Sequence, residues 1–281
     1  MTGALATGNQ TIARAATNPT AVLLGRLGFA ARGAVYLIVG WLALRAAAGI
    51  GSTAAPDKQG ALEAVAQQPG GAVLLGLAAG GLFAYAGWSL VRAVFDPERL
   101  GHKAGAVVAR VGYAVAGLSY AGLALAAMNM ARGSGSAGQS SDASTQDWTA
   151  KLLNAPFGPP LVIAVGVILL AIAATEFIRA YTANFRQDLS LAGLGPEVQR
   201  WIVRVGRSGL AARGVVFALI GVFLIQAARH GNAGEAVGLG GVLQTLAEQP
   251  YGQLWLGAVA AGLFMYGLLS FVEARYRRLK R

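Results

Sequence analysis

Gly25–Gly40 reads GRLGFAARGAVYLIVG, and the pattern returns at Gly206–Gly221 as GRSGLAARGVVFALIG, at a constant offset of 181 residues. From Gly25 to Phe95, 28 of 71 positions are identical at this offset, without a gap. A weaker copy begins at Arg110 with RVGYAVAGLSYAGLAL. The chain is therefore predicted to consist of three copies of one structural unit.

The composition is that of a membrane protein. Charged residues make up 12% of the chain and hydrophobic residues 55%, whereas soluble domains carry about 25% charged residues. Six apolar runs approach or exceed the roughly 20 residues that cross a bilayer. They are Phe29–Ala48, Gly71–Phe95, Val111–Ala131, Gly158–Tyr181, Gly209–Ala228 and Gly252–Ala274. Residues 1–18 contain no apolar core, so we expect no cleavable signal peptide and a first span that serves as the anchor.

A short amphipathic segment separates the two spans of each unit. In the first unit, Leu62, Val65 and Ala66 have the i, i+3, i+4 spacing of a helix and are followed by Pro69. The other two units repeat this arrangement ahead of a proline. We predict a short helix at each place, too short to span and resting in the outer interface of the membrane.

Each unit crosses the membrane twice, so successive units start on the same side and are related by an axis along the membrane normal. We therefore predict an all-α integral membrane protein with six transmembrane helices, arranged as three parallel two-helix repeats around a pseudo-threefold axis. The predicted parts are a mobile N-terminal arm at 1–24 and repeats at 25–100, 101–190 and 191–281. The middle repeat is diverged, and the last one carries a basic tail.

Basic residues are distributed unevenly between the two predicted sides. The side that holds both termini carries 18 Lys and Arg residues and the other carries 5, whereas the acidic residues divide into 6 and 6. Because the cytoplasmic loops of membrane proteins are enriched in Lys and Arg, both termini are predicted to be cytoplasmic. The net charge of +11 then describes a basic cytoplasmic face that attracts anionic lipid headgroups, and we expect no nucleic-acid partner.

Small residues at helical spacing indicate where the predicted spans approach each other. They let two backbones touch, which is what holds helices together in lipid. The sites are Gly33 with Gly40, Gly117 with Ala124, Gly214 with Gly221, the GxxxG pair Gly76 and Gly80, and the corresponding Gly81 and Gly262. Tight packing is the first interpretation, and glycines that serve a gating hinge are the alternative.

Among the charged residues of the predicted spans, Arg32, Arg213 and Glu176 are candidates for a common buried layer. Arg32 and Arg213 sit about one turn inside their spans, whereas the middle repeat has Ala116 at this position. Their guanidinium groups either extend to the interface or meet Glu176, which lies at about the same depth when each residue adds about 1.5 Å. One carboxylate between two guanidiniums would form a charged layer with a net positive centre. Such a layer would hold the repeats in register or bind an anionic headgroup or solute.

Tyrosine and serine side chains recur near the same depth and form a candidate polar lining. Either the aromatic rings simply pack, or their phenols find hydrogen-bond partners among the arginines and serines. The residues are Tyr36 and Tyr120, which correspond to each other and to Phe217, the pair Tyr85 and Tyr266, and the pair Ser89 and Ser270.

The sequence offers no set of catalytic residues. It contains no cysteine, and its two histidines, His102 and His230, lie in connections on opposite sides. The motifs of zinc proteases, nucleotide-binding proteins and serine hydrolases are missing too. We therefore expect no enzymatic activity, no metal and no cofactor.

Several motifs resemble those of a bacterial family. They are AARG at the start of the first span, LEAVAQQPGG and LQTLAEQPYG before the second span, and GLFAY and GLFMY within it. These motifs resemble the family catalogued as domain of unknown function 1206, whose members carry three two-helix repeats. The resemblance covers about residues 25–276 and is looser in the middle repeat, where AARG is AVAG and QPGG is APFG. It implies six transmembrane helices and brings no established activity.

Two hypotheses of function follow. The first is a non-enzymatic scaffold of the bacterial cytoplasmic membrane that presents its basic inner face to anionic lipid headgroups or to a protein partner in the membrane. The second is a conduit or transporter for a small anionic solute along the repeat axis. Few polar and many small residues fall in the middle of the spans, which favours a closed bundle and thus the scaffold.

Overall fold

A computed structural model describes residues 19–50, 57–95, 104–134 and 140–277 of the chain. Within these residues the protein is helical, apart from short turns and one isolated bridge between Leu189 and Arg277. Nine α-helices lie in the described part: α1 (Pro19–Ala47), α2 (Lys58–Ala66), α3 (Gly71–Phe95), α4 (Ala104–Ala131), α5 (Ser141–Leu153), α6 (Gly158–Thr182), α7 (Pro196–His230), α8 (Leu239–Glu248) and α9 (Gly252–Tyr276). Most of the predicted N-terminal arm, residues 1–18, lies outside the described residues, as do His102 and the basic tail beyond Arg277.

Six of these helices are long and apolar enough to cross a membrane, as the sequence predicts. They are α1, α3, α4, α6, α7 and α9. The helix α7 has 35 residues, whereas α3, α6 and α9 have 25 each. Its additional turns precede the predicted span at Gly209, and Ile202, Val205 and Gly206 within them are buried.

The six spans form a closed ring of three repeats. The second span of each repeat packs most extensively on the first span of the next: α3 on α4, α6 on α7, and α9 on α1. We call each of these three contacts a seam. The seam between α9 and α1 joins the last span to the first, which confirms the pseudo-threefold arrangement. Within the diverged middle repeat, α4 and α6 meet at few points, so the ring is loosest there.

Glycines allow the seams to close. A Cβ atom added at Gly40 would lie 2.6 Å from the backbone nitrogen of Phe264, and one added at Gly221 would lie 2.9 Å from the carbonyl oxygen of Gly166. Such distances leave no room for a side chain, because two helix backbones touch at these points. The predicted close approach is confirmed at both glycines.

The GxxxG pair of α3 does not behave as predicted. A Cβ atom at Gly76 or Gly80 would have no other atom within 4 Å, so both glycines face away from the bundle. The buried face of α3 is instead formed by residues such as Leu75 and Leu82, together with Gly81. The prediction that Gly76 and Gly80 mark a helix contact in this chain was wrong, because spacing identifies a face of small residues without saying whether that face points inward.

The three predicted short helices are present as α2, α5 and α8. Leu62 of α2 and Leu243 of α8 are fully buried. The apolar faces of α2 and α8 therefore pack against the spans, whereas Trp148 of α5 is 66% exposed. Asp142 of α5 joins two of them, because its Oδ1 accepts hydrogen bonds from the backbone nitrogens of Gly238 and Gly241 at 2.6 and 2.9 Å.

A tight turn connects each short helix to the span that follows. The residue before each span is left-handed, with φ of 77° at Gly70, 62° at Phe157 and 60° at Tyr251. The next residue is always glycine, since a Cβ atom at Gly252 would lie 1.9 Å from the carbonyl oxygen of Ala247. The motifs QPGG, APFG and QPYG therefore encode one turn of the backbone, and the recurrent proline lies within it.

Candidate functional site

The AARG motif places an arginine at the centre of the ring. Ala31 packs against Gly81 of α3, where an added Cβ atom would lie 2.6 Å from the Cβ of Ala31, and Ala212 packs in the same way on Gly262 of α9. This close contact between the two spans of one repeat directs the following arginine past the neighbouring helix and toward the axis. Arg32 and Arg213 therefore occupy equivalent positions.

Arg32 is 5% exposed and contacts three side chains with its guanidinium group. Its Nε donates to Ser270 Oγ at 3.2 Å, and its Nη1 donates to Tyr85 OH at 2.6 Å. Its Nη2 forms an ion pair with Glu273 Oε2. Ser270 and Glu273 lie on α9 and Tyr85 on α3, so Arg32 joins the first repeat to the last.

Arg213 makes the corresponding contacts at the next seam. Its Nη1 donates to Glu176 Oε1 on α6 at 3.0 Å and to Tyr266 OH on α9 at 2.8 Å. The Arg213 side chain is 17% exposed and that of Glu176 is 8% exposed. Neither arginine extends to the interface; each bonds to the tyrosine of its own repeat and to a carboxylate of the preceding repeat.

The predicted layer of two arginines around one glutamate needs correction. Arg32 pairs with Glu273 and Arg213 pairs with Glu176, so the layer contains two ion pairs. Glu273 also accepts from Arg277 Nη1 at 2.9 Å, which places it between two guanidiniums. The missed carboxylate lies seven residues after Tyr266 and three after Ser270, a spacing that puts all three on one helix face and would have identified it.

The sequence did not predict a role for Glu273, because its equivalents in the other repeats are basic. Counting from the starts of α3, α6 and α9, Arg92, Arg179 and Glu273 occupy the same position, and Ser89, Glu176 and Ser270 occupy another. Two of the three seams thus receive one carboxylate each, Glu176 at one of these positions and Glu273 at the other. A search for identical residues between repeats does not detect this exchange.

Tyrosine rings occupy the space between the two ion pairs. The Tyr266 ring centroid lies 5.0 Å from the Arg32 guanidinium carbon and 4.4 Å from that of Arg213. Tyr36 packs edge-on against Tyr266, with ring centroids 4.8 Å apart, and Tyr120 packs in the same way against Tyr85 at 4.7 Å. All four predicted tyrosines meet here, and the rings of Tyr85 and Tyr266 also stabilise the arginine guanidiniums that lie over them.

Lys58 lies at one end of this tyrosine cluster. Its Nζ lies 4.9 Å from the ring centroid of Tyr120 and 5.7 Å from that of Tyr36. The sequence did not suggest this role, because Lys58 belongs to the short helix α2 and lies outside the spans. Polar side chains therefore form a continuous row in which Lys58 contacts the tyrosines, the tyrosines contact the arginines, and the arginines pair with the glutamates.

At the third seam, between α3 and α4, the sequence supplies no arginine equivalent to Arg32 and Arg213. Ala116 takes the place of the arginine and is only half-buried, while Arg92 takes the place of Glu273 and lies with its guanidinium carbon 4.0 Å from the Tyr113 ring centroid. Ser89 is fully buried, and its Oγ has no hydrogen-bond partner among the described residues, whereas the equivalent Ser270 accepts from Arg32. The loss of the arginine explains the unused hydroxyl.

Two further buried atoms at the neighbouring seam have no hydrogen-bond partner within the described ranges. They are Glu176 Oε2 and Arg213 Nε. Buried polar atoms usually find a partner, and water or a ligand is the partner where protein is not. The site therefore holds the repeats together by ion pairs and also retains one acceptor and one donor near Arg213.

The comparisons with known proteins agree with the repeats. A model of the family described as Domain of Unknown Function (DUF1206) matches three segments, residues 27–96, 111–183 and 208–277. The chain is also similar to the uncharacterized protein YxxB of Bacillus subtilis (strain 168), with 32% identity over 263 residues and 94% of each chain covered. No solved structure matches the chain. The three matched segments coincide with the three two-span units of the ring.

Proposed function

This chain belongs to the DUF1206 family, and from that premise we propose that it is a non-enzymatic scaffold of the bacterial cytoplasmic membrane that binds anionic lipid at its basic inner face. The family brings no activity, so the proposal rests on the geometry. Both termini are proposed to be cytoplasmic, since 18 Lys and Arg residues belong to that side and 5 to the other.

The observation that carries the proposal is the pairing of the buried charges. An isolated arginine in the middle of a bilayer is costly, and such residues pair with each other or face a polar cavity. Arg32 and Arg213 each pair with a carboxylate from the preceding repeat, and tyrosine rings lie against both guanidiniums. These charges are used to join repeats, which is the role expected of a scaffold.

The basic side supports lipid binding. Each Lys or Arg near an anionic membrane surface contributes about 1 kcal/mol to attraction. The described residues on that side include exposed arginines near the start of α7, among them Arg200, Arg204 and Arg207. Exposed Trp201 lies between them, and tryptophan favours the membrane interface.

The proposal is tested by lipid retention and by flux. The purified chain, exchanged into detergent with equal amounts of phosphatidylglycerol and phosphatidylcholine, should retain phosphatidylglycerol preferentially in native mass spectrometry. Vesicles that contain the protein should release chloride or phosphate no faster than protein-free vesicles. Equal retention of both lipids would refute the lipid-binding role.

A conduit for a small anion is the second candidate. It is favoured by the unused donor at Arg213 Nε and by the sparse contact between α4 and α6, which leaves the ring loosest in the middle repeat. Anion release that depends on Arg213, and that falls in an Arg213→Gln variant but not in an Arg229→Gln variant on the outer side, would favour this function over the scaffold.

A further inference from the structure

Four arginines surround one depression on the side proposed to be cytoplasmic. Arg200, Arg204 and Arg207 lie on one face of α7, since residues three and four apart are neighbours on a helix. Arg186 comes from the single 3₁₀-helix turn Asn184–Asp188 that follows α6. All four line the same pocket, which we name the inner arginine pocket.

The position of Arg186 in this pocket is fixed by packing. Phe185 is 3% exposed, and its ring occupies the space over Gly206 of α7, where an added Cβ atom would lie 2.3 Å from the ring. The segment is also tied to the end of α9, because the backbone nitrogen of Ser190 donates to the carbonyl oxygen of Tyr276 at 2.8 Å. The pocket is therefore built by the fold and does not depend on a flexible loop.

The charges in the pocket are only partly neutralised. Arg200 pairs with Glu197, and Arg207 Nη2 donates to the carbonyl oxygen of Tyr181 at 3.1 Å. The guanidinium groups of Arg186 and Arg204 have neither a hydrogen bond nor an ion pair with any described residue. Two guanidiniums are thus available to bind an anion, and the planar guanidinium fork suits the oxygens of a phosphate.

The surroundings of the pocket indicate an amphiphilic ligand. A second depression shares Arg200 and Arg204 and is lined by the exposed apolar side chains of Val198 and Trp201. Tyr181, at the end of α6, is 85% exposed. Exposed tryptophan and tyrosine beside arginines are typical of the membrane interface, where the phosphates of lipid headgroups lie.

We propose that the inner arginine pocket binds the phosphate group of an anionic phospholipid headgroup, with Arg186 and Arg204 as its principal partners. The proposal rests on the proposed function, because it assumes that this end of the bundle faces the cytoplasmic leaflet. It adds a defined binding site to the general attraction between the basic inner face and anionic lipids.

The test titrates dioctanoyl phosphatidylglycerol into the purified full-length chain in a neutral detergent, with native mass spectrometry as the readout. The Arg186→Gln/Arg204→Gln variant should bind roughly tenfold more weakly, because two charge-assisted contacts are lost. The control is Arg132→Gln/Arg229→Gln, which removes the same charge from exposed positions on the other side and should bind as the unchanged protein does. All four side chains are exposed, so thermal unfolding should stay the same in both variants.

The outcomes separate the site from the proposed function. Equal weakening in both double variants would overturn the pocket and leave a general attraction to the basic protein. Displacement of the lipid by an equal concentration of inorganic phosphate would show a site for a soluble anion and overturn the lipid assignment. No preference of the unchanged protein for phosphatidylglycerol over dioctanoyl phosphatidylcholine would overturn both the pocket and the proposed function.

Discussion

Glu273 is a buried carboxylate that lies between two guanidinium groups. Its carboxylate pairs with Arg32 and with Arg277, whereas Glu176 pairs with Arg213. We predict that Glu273→Gln lowers the stability by about 3–5 kcal/mol, as expected when one partner of a buried pair is removed and the other charge remains. The measurement is thermal unfolding in detergent, and the Arg32→Gln/Glu273→Gln variant should recover part of the loss.

A comparison of Glu176→Gln with Glu273→Gln tests whether the two ion pairs are independent or share one carboxylate. If the two ion pairs are independent, Glu176→Gln and Glu273→Gln have effects that add, because neither removes the partner of the other arginine. A single shared carboxylate would instead make Glu176→Gln destabilise Arg32 as well. Strong non-additivity between the two variants would contradict the paired arrangement described here.

The incomplete third seam allows a second residue-scale prediction. Ala116→Arg alone should destabilise the protein, since the positions equivalent to Glu176 and Glu273 hold Ser89 and Arg92, neither of which is acidic. Adding Arg92→Glu supplies the acid at the position that Glu273 occupies in the third repeat. We expect the two changes to be coupled favourably by about 1 kcal/mol or more in a double-mutant cycle of unfolding free energies. Coupling near zero would mean that the seams are not equivalent.

At this scale the sequence predicts which residues are unusual but not how they pair. Arg32, Arg213 and Glu176 stand out because charges are rare in apolar spans. Their partners are fixed by which helix of another repeat lies beside each arginine, and that depends on the closure of the ring. Glu273 was not predicted because its equivalents in the other repeats are basic, and Lys58 was not predicted because it belongs to the short helix α2 outside the spans.

Among the elements, the turn before the second span explains the most recurrent motif of the sequence. We predict that Gly252→Ala is strongly destabilising, because its Cβ atom would lie 1.9 Å from a carbonyl oxygen of the preceding helix. Gly76→Ala is the matched control, since its Cβ atom meets open space. Alanine in a helix is favoured over glycine by roughly 0.5–1 kcal/mol, so the control should be neutral or slightly stabilising.

Thermal unfolding of both glycine variants in one detergent provides the measurement. A loss at Gly76→Ala as large as that at Gly252→Ala would show that α3 uses its outward face for packing. The helices themselves were predictable from apolar periodicity and length. Which face of a helix points into the bundle was not always predictable, because the lipid-facing and protein-facing sides of a membrane helix are both apolar.

For the whole molecule, the proposed orientation is open to a direct test. The chain contains no cysteine, so single cysteines report cleanly on accessibility. Cysteine at Ser140 or Asn232 should react with a membrane-impermeant thiol reagent added outside intact cells, and cysteine at Gly195 or Glu197 should not. The physical reason is the excess of Lys and Arg on the side of Gly195. Labelling in the opposite pattern would invert the topology and remove the support for a cytoplasmic lipid site.

The architecture of the whole molecule was predictable because repetition constrains it. Three units that each cross twice start on the same side, and a ring is the compact way to bury three equal interfaces. The looseness between α4 and α6 was not predicted from the divergence of the middle repeat. The divergence of the sequence indicates that helix packing differs in the middle repeat. It does not indicate whether α4 and α6 lie closer together or further apart.

The ion pair between the first and the last span can form only late in the synthesis of the chain. Arg32 and Glu273 are separated by 241 positions along the chain. At about 5–20 residues per second, the ribosome makes the carboxylate roughly 12–50 s after the arginine. Throughout that interval the first span carries a cation whose counterion does not yet exist. The nascent chain must keep this helix beside water, headgroups or the insertion machinery until α9 arrives, and a ribosome stalled before α9 would leave a membrane span that never matures.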